Sequence, residues 1–248
     1  LVPPHIVLPP IVGGVGSLNS FFCLTSPSGG GKGASVAVAK ELIPAYIFEA
    51  KLGSGEGFIK ILEGNPKEPD SRPGAVWFDA GEIDGIKAMG DRIGSTLLEK
   101  LRDAWMGASL GFGYKDSSFV EAHSYRMTLT VGVQPRRAGW LLADGGGGTP
   151  QRFMWFPAMD ERANRVNRRR YGDHWVPALT LPSALKFQYP RTLVVPPEVK
   201  ESIEIAQEMK NFGRTDGLDT HAAFAREKFA QALAMIDGRT EMTAQDWS

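Results

Sequence analysis

The 248-residue sequence holds a single cysteine, Cys23, which excludes an internal disulfide framework and points to a reducing cytoplasm. Net charge is missing as well, since 28 lysines and arginines balance 28 aspartates and glutamates. No global field draws the chain to nucleic acid or to a membrane surface, so a site for a polyanion must be local. No apolar run approaches the roughly 20 residues of a membrane-spanning helix. The four histidines, His5, His123, His174 and His221, share no metal-ligand spacing, and no zinc site is expected. Internal repeats are also absent.

What is present suits an α/β chain. With 42% hydrophobic and 23% charged residues, there is enough apolar material for one large domain or a core with a small satellite. Residues 1–17 are rich in proline and glycine and read as linker or an edge segment, as in a piece of a longer protein. Apolar runs at Leu18–Thr25, Ala45–Ala50, Ala75–Asp79, Tyr125–Val133 and Phe153–Pro157 predict strands. Between them lie VAVAKELI, a helix that Pro44 should stop, and a short helix over Phe58–Glu63. Ile83–Trp105 has helical spacing that Gly90 or Gly94 should split. Ser109–Tyr125 predicts a β-hairpin. The alternation up to residue 158 predicts a mostly parallel sheet with helices on both faces. Residues 159–195 follow as an irregular basic connector, and 196–248 as a small helical lid with helices near 197–211 and 219–237.

The segment SPSGGGKGAS joins the first strand to the first helix. Glycines let successive N–H groups converge on one anion, and a helix N-terminus adds favourable potential. Ser28, Gly29, Gly30, Gly31, Lys32, Gly33 and Ala34 are therefore the expected phosphate-binding residues, with Lys32 as the mobile point charge. The spacing Ser26-x-x-x-x-Gly31-Lys32 matches the Walker A pattern, with serine in place of its first glycine. Gly33 stands where that pattern has the Ser/Thr that ligates Mg²⁺. Ser35, three residues past the lysine, should point elsewhere on the helix.

Hydrolysis of a nucleoside triphosphate needs an acid near Mg²⁺, a group that orients water and a group that senses the γ-phosphate. Asp79 ends the strand AVWFD, and Glu82 follows in GEID. Either Asp79 holds Mg²⁺ through water, or GEID stands where many ATPases have DEID, so that Glu82 polarises the water and Gly81 replaces the metal acid. Both acids can serve, and Glu49 and Glu56 are further candidates. Gln134 ends the strand TLTVGV at the edge where open α/β sheets bind ligands. Arg152, after GGGGTPQ, suits a finger on a mobile loop reaching a neighbouring subunit's nucleotide. Arg226 in AREKFAQALA could reach the nucleotide from the lid. For nucleic acid, Arg168, Arg169 and Arg170 lie among Tyr171, His174 and Trp175, as backbone-tracking and stacking surfaces do.

The run from LTSPSGGGKGASVAVAKEL through LGSGEGF, VWFDAGEID, LRDAWMGASLGF, HSYRMTLTVGVQP and GGTPQRFMWFP resembles a P-loop ATPase family of phages, plasmids and integrated elements. Its members often stand beside or fused to a primase–polymerase module and are described as helicase-like. The resemblance covers about residues 8–158 and returns in THAAFAREKFAQALAMIDGRTEMTAQDW. It implies an AAA+/RecA-like P-loop fold and an ATP- and Mg²⁺-dependent motor working on DNA as a homo-oligomer, a hexamer, in the cytoplasm of a bacterial host. It further implies that Lys32 is the P-loop lysine, that Asp79 and Glu82 form the Walker B region, that Gln134 is the sensor, and that Arg152 acts in trans. The hairpin around Gly111–Ser118 would enter a central pore, where Lys115 would touch DNA. Two other expectations stand beside this one: an ATP-binding scaffold that clamps DNA with weak turnover, and a P-loop kinase for a small substrate.

Overall fold

Strands buried on both faces read as nearly continuous apolar runs, and such runs build the centre of the molecule. The computed structural model describes residues 2–43, 46–65, 67–68, 72–113, 118–160, 188–214 and 221–248. In chain order the strands are β1 (Ile6–Val7), β2 (Ser20–Thr25), β3 (Glu49–Ala50), β4 (Ala75–Ala80), β5 (Leu110–Gly111), β6 (Phe119–Val120), β7 (Arg126–Val133), β8 (Phe153–Pro157) and β9 (Arg191–Thr192). The helices are α1 (Lys32–Leu42), α2 (Gly55–Glu63), α3 (Ile83–Gly90), α4 (Leu97–Met106), α5 (Gly139–Ala143), α6 (Pro197–Asn211), α7 (Ala222–Ile236) and α8 (Ala244–Trp247).

The five expected strands form one all-parallel sheet in the order β3-β4-β7-β2-β8, flanked by helices. Phe21, Cys23, Val76, Phe78, Leu129 and Val131 fill its core. Cys23 and Ala80 both lie opposite Val131, so the carboxyl ends of β2, β7 and β4 reach one edge together. Ser54 caps α2 by accepting from the Gly57 amide at 3.1 Å, and Phe58, Ile59 and Leu62 turn its apolar face inward. The expected break in Ile83–Trp105 falls where α3 ends at Gly90, and Gly94 then takes φ 77°, a backbone state that glycine adopts without steric cost. The hairpin is the antiparallel pair β5–β6. Its tip, with Lys115, lies outside the described residues, as do Arg168, Arg169 and Arg170. Among the described residues no helix is long and apolar enough to cross a membrane.

Residues 1–17 depart from a free linker. β1 pairs in parallel with β9, and Ile6 and Leu8 enter a second core with Val199, Ile203, Ala230 and Ala234. The helical body therefore includes the amino-terminal segment. α7 joins the two cores, since Ala225 packs with the sheet's cluster. Lys228 of the same helix is buried and donates to the carbonyls of Asn19 at 2.7 Å and Trp105 at 2.6 Å.

The physical reason for the departure is Arg126, at the start of β7 and 2% exposed. Its guanidinium donates to the carbonyls of Val2 (3.1 Å), Pro3 (3.1 Å), Pro4 (3.4 Å) and Ile6 (2.7 Å). It also reaches Ser17 Oγ at 2.8 Å and Asn19 Oδ1 at 3.2 Å. Burial lowers its pKa to about 9, which still leaves it protonated near neutrality. Arg126→Met should cost about 2 kcal/mol, because buried acceptors lose a charged donor. Urea unfolding would measure this, and the first protease cuts should move to residues 2–17.

Candidate functional site

The loop between β2 and α1 bends through two glycines with positive φ, Gly29 at 75° and Gly31 at 94°. Any residue with a Cβ would be strained at either position. Gly31 caps α1, no side chain satisfies the cap, and no acidic residue occupies the first turn. The positive end of the helix is thus left unneutralised toward the loop. Lys32 is 8% exposed. Its Nζ folds back onto the loop, donating to Ser26 O at 3.1 Å, Pro27 O at 3.3 Å and Ser26 Oγ at 3.4 Å. Gly33 and Ala34 are exposed on the first turn, and a Cβ built on Gly33 meets nothing within 4 Å. Ser35 turns away as expected, its hydroxyl donating to the Gly31 carbonyl at 3.1 Å.

The acids reach the same sheet edge. Glu82 Oε1 lies 3.9 Å from Lys32 Nζ, and its other oxygen accepts from Gln134 Nε2 at 3.4 Å. The structure thereby brings Lys32, Glu82 and Gln134 together. Asp79 lines a cavity of about 230 Å³ whose walls include Lys32, Gly33, Lys40, Gly81, Thr130 and Gly132. Asp79 pairs with Lys51 at 3.9 Å. Of the further acids, Glu49 is held by Lys40 at 2.5 Å, and Glu56 sits exposed in the first turn of α2.

Gly132 makes this assembly possible, and the sequence reading did not single it out. A Cβ there would overlap the Gly81 carbonyl oxygen and lie 3.3 Å from Lys32 Cε. Only a bare backbone lets the segment after β4 cross β7 and set Glu82 against the lysine. The available signal was a glycine inside the strand TLTVGV, which marks close backbone approach.

Two arginines stand elsewhere than expected. Arg152 precedes β8, at the amino end of the sheet and a strand's length from the loop, and it is 9% exposed. Its Nη1 donates to Gly148 O at 2.5 Å, and its guanidinium lies 5.5 Å from the centre of the Trp105 ring. GGGG folds into 3-10 turns, anchored by Asp144, which accepts from Arg102 at 2.8 Å and from Thr149. Arg152 is therefore turned inward, and an arginine finger offered to a neighbour is not what this geometry presents. Arg226 is directed to the carboxyl terminus, stacking 4.8 Å over Trp247 and donating to Ser248 O at 3.0 Å. Burial raises the Cys23 thiol pKa, which keeps it unreactive. Among the described residues, no cluster of three or more His, Cys, Asp or Glu side chains forms a metal site by itself. No protein-family model matches the chain, and no curated protein matches it.

Proposed function

We propose that the chain is a P-loop ATPase of the AAA+/RecA-like kind, binding ATP at Ser26–Ala34 and hydrolysing it to drive movement on DNA as an oligomeric ring. The observation that carries the nucleotide part is the meeting of Lys32, Glu82 and Gln134 at one sheet edge, beside an uncapped helix start and a cavity lined by Asp79. Amides of Ser28–Gly31 and the first turn of α1 cradle phosphate oxygens, and Lys32 neutralises them. Asp79 is the residue to hold Mg²⁺, which takes one or two carboxylates with phosphate oxygens and water and would supply neutralising charge. Glu82 orients and deprotonates the attacking water, and Gln134 donates its amide toward the γ-phosphate. The DNA part rests on the family resemblance and on Lys115 and Arg168–Arg170. So do the ring, a hexamer, and the association with a primase–polymerase module. Arg152 has no part in this reading.

Calorimetry with ATP and Mg²⁺, followed by phosphate release with and without DNA, tests the proposal in two steps. Saturable ATP binding and DNA-stimulated turnover are expected. Absence of binding would remove the whole reading, whereas binding with turnover indifferent to DNA would remove the motor and leave an ATPase. Particle images with an ATP analogue and DNA test the ring directly.

A second reading, a clamp with slow turnover, is favoured by Gly33, which offers no hydroxyl to a metal. The space beside it is open, so Gly33→Thr should fit and raise turnover by about tenfold, the rate equivalent of about 1.4 kcal/mol. Steady-state phosphate release decides this, and an unchanged rate would show that metal ligation is not limiting.

A further inference from the structure

A second cavity, of about 550 Å³, lies between the amino-terminal loop, the end of α4, α6 and the start of α7. It is separate from the cavity of Lys32 and Asp79, sharing no lining residue with it. Its volume falls in the range of small-molecule sites, which pair apolar walls with a few convergent polar groups. Ile11, Val15, Met106, Ile203 and Phe224 supply much of the apolar wall.

Two residues of this wall carry a buried polar atom without a hydrogen-bond partner. Glu227 is 3% exposed, and its Oε1 has no hydrogen-bond partner. His123 Nδ1 is buried and equally without one. A buried carboxylate oxygen left unpaired costs free energy that a bound donor would recover. Lys228 donates to the carbonyls of Asn19 and Trp105 rather than to this oxygen, although its charge still acts on the carboxyl. Burial raises the Glu227 pKa to about 7 against the opposing pull of Lys228, and burial with nearby Arg152, Lys210 and Lys228 lowers that of His221 to about 4. His221 therefore stays neutral near pH 7 and adds no charge beside Glu227.

His123 shows that the site is held at a cost. It is the non-glycine residue with positive φ among those described, at 55°, and such strain gathers at ligand sites. Its amide donates to the Gly107 carbonyl at 2.9 Å. Gly107 makes room for the ring, since a Cβ there would lie 3.1 Å from Nδ1.

We propose that this cavity binds a small, mostly apolar organic cation whose ammonium or amidinium head donates hydrogen bonds to Glu227. The aliphatic and aromatic walls take the body of the molecule, and the Glu227 carboxyl selects a donor head. Lys210, on α6 at the same wall, makes the opposite choice the sharpest control.

The test uses the full chain titrated with phenylbutylammonium and with phenylbutyrate, its carboxylate counterpart of matched shape, by calorimetry. The ammonium should bind at least about tenfold tighter, the value of one charge-assisted hydrogen bond. Glu227→Gln, which keeps the shape, should erase that preference. Ala206→Trp should fill the cavity and abolish binding of the ammonium while leaving ATP binding intact, so that failure here is distinguishable from failure at Lys32. Preference for phenylbutyrate, equal affinity for both probes, no binding of either, or ammonium binding untouched by Glu227→Gln would each overturn the proposal. Thermal melts of both variants confirm folding, and if Ala206→Trp does not fold, Glu227→Gln decides alone.

Discussion

Lys32→Ala should weaken ATP binding by about 10–100-fold and bring turnover to background, because a charged donor to phosphate contributes about 1.5–3 kcal/mol. The structure adds a refinement. Lys32 Nζ now holds the Ser26 and Pro27 carbonyls, so the variant loses a loop fastening together with the ligand charge. Lys32→Arg should restore the charge but not the fit, since a planar fork cannot replace a compact ammonium in a buried slot. Calorimetry on both variants separates the two contributions. ATP affinity in Lys32→Ala equal to the parent's would show that the glycine loop is a turn and nothing more.

Gly132→Val should be the most damaging single substitution near the site. The added Cβ overlaps a backbone oxygen, at Gly81, rather than the movable end of a side chain, and overpacking against backbone costs about 3 kcal/mol or more. For a chain of this size, that lowers Tm by about 6–12 °C. Gly132→Ala should follow with a smaller fall in Tm. If the segment at Gly81 yields instead, stability is spared while Glu82 moves off Lys32, and turnover falls with ATP binding retained. Melting curves and phosphate release distinguish these outcomes. A Gly132→Val protein with parental Tm and parental turnover would sink the claim that this glycine sets the site.

The sheet was legible because its strands announce themselves twice, by apolar runs and by the turn residues that bound them. Phe21, Cys23, Val76 and Leu129 are buried as those runs require. The glycine-rich loop was legible through the strand before it and the helix after it, and the placement of Gln134 followed from where its strand ends. Long-range packing was not legible. Arg152 follows four glycines, which locally read as slack, and only the distant Arg102 makes Asp144 an anchor. The stripe of α7 held a signal that was passed over. Phe224, Glu227, Lys228, Gln231 and Ala234 recur at helical spacing, and the three polar members are 3%, 1% and 0% exposed. A face that carries charge at core positions is amphipathic by pattern but buried in fact. Local composition cannot reveal that when the carbonyl partners lie more than a hundred residues away.

The embrace of Arg126 by its oxygens fixes where the polypeptide can be divided. The Pro3 carbonyl accepts from the Ile6 amide as well as from the guanidinium, so the turn and the cation hold each other, with the Pro4 carbonyl alongside. An excised domain started at Leu18, where composition changes, would keep the cation and discard most of its ligands. Precipitation of such a fragment would then report a stranded interior charge rather than a failure of the nucleotide fold, and subcloning should keep residue 2 onward.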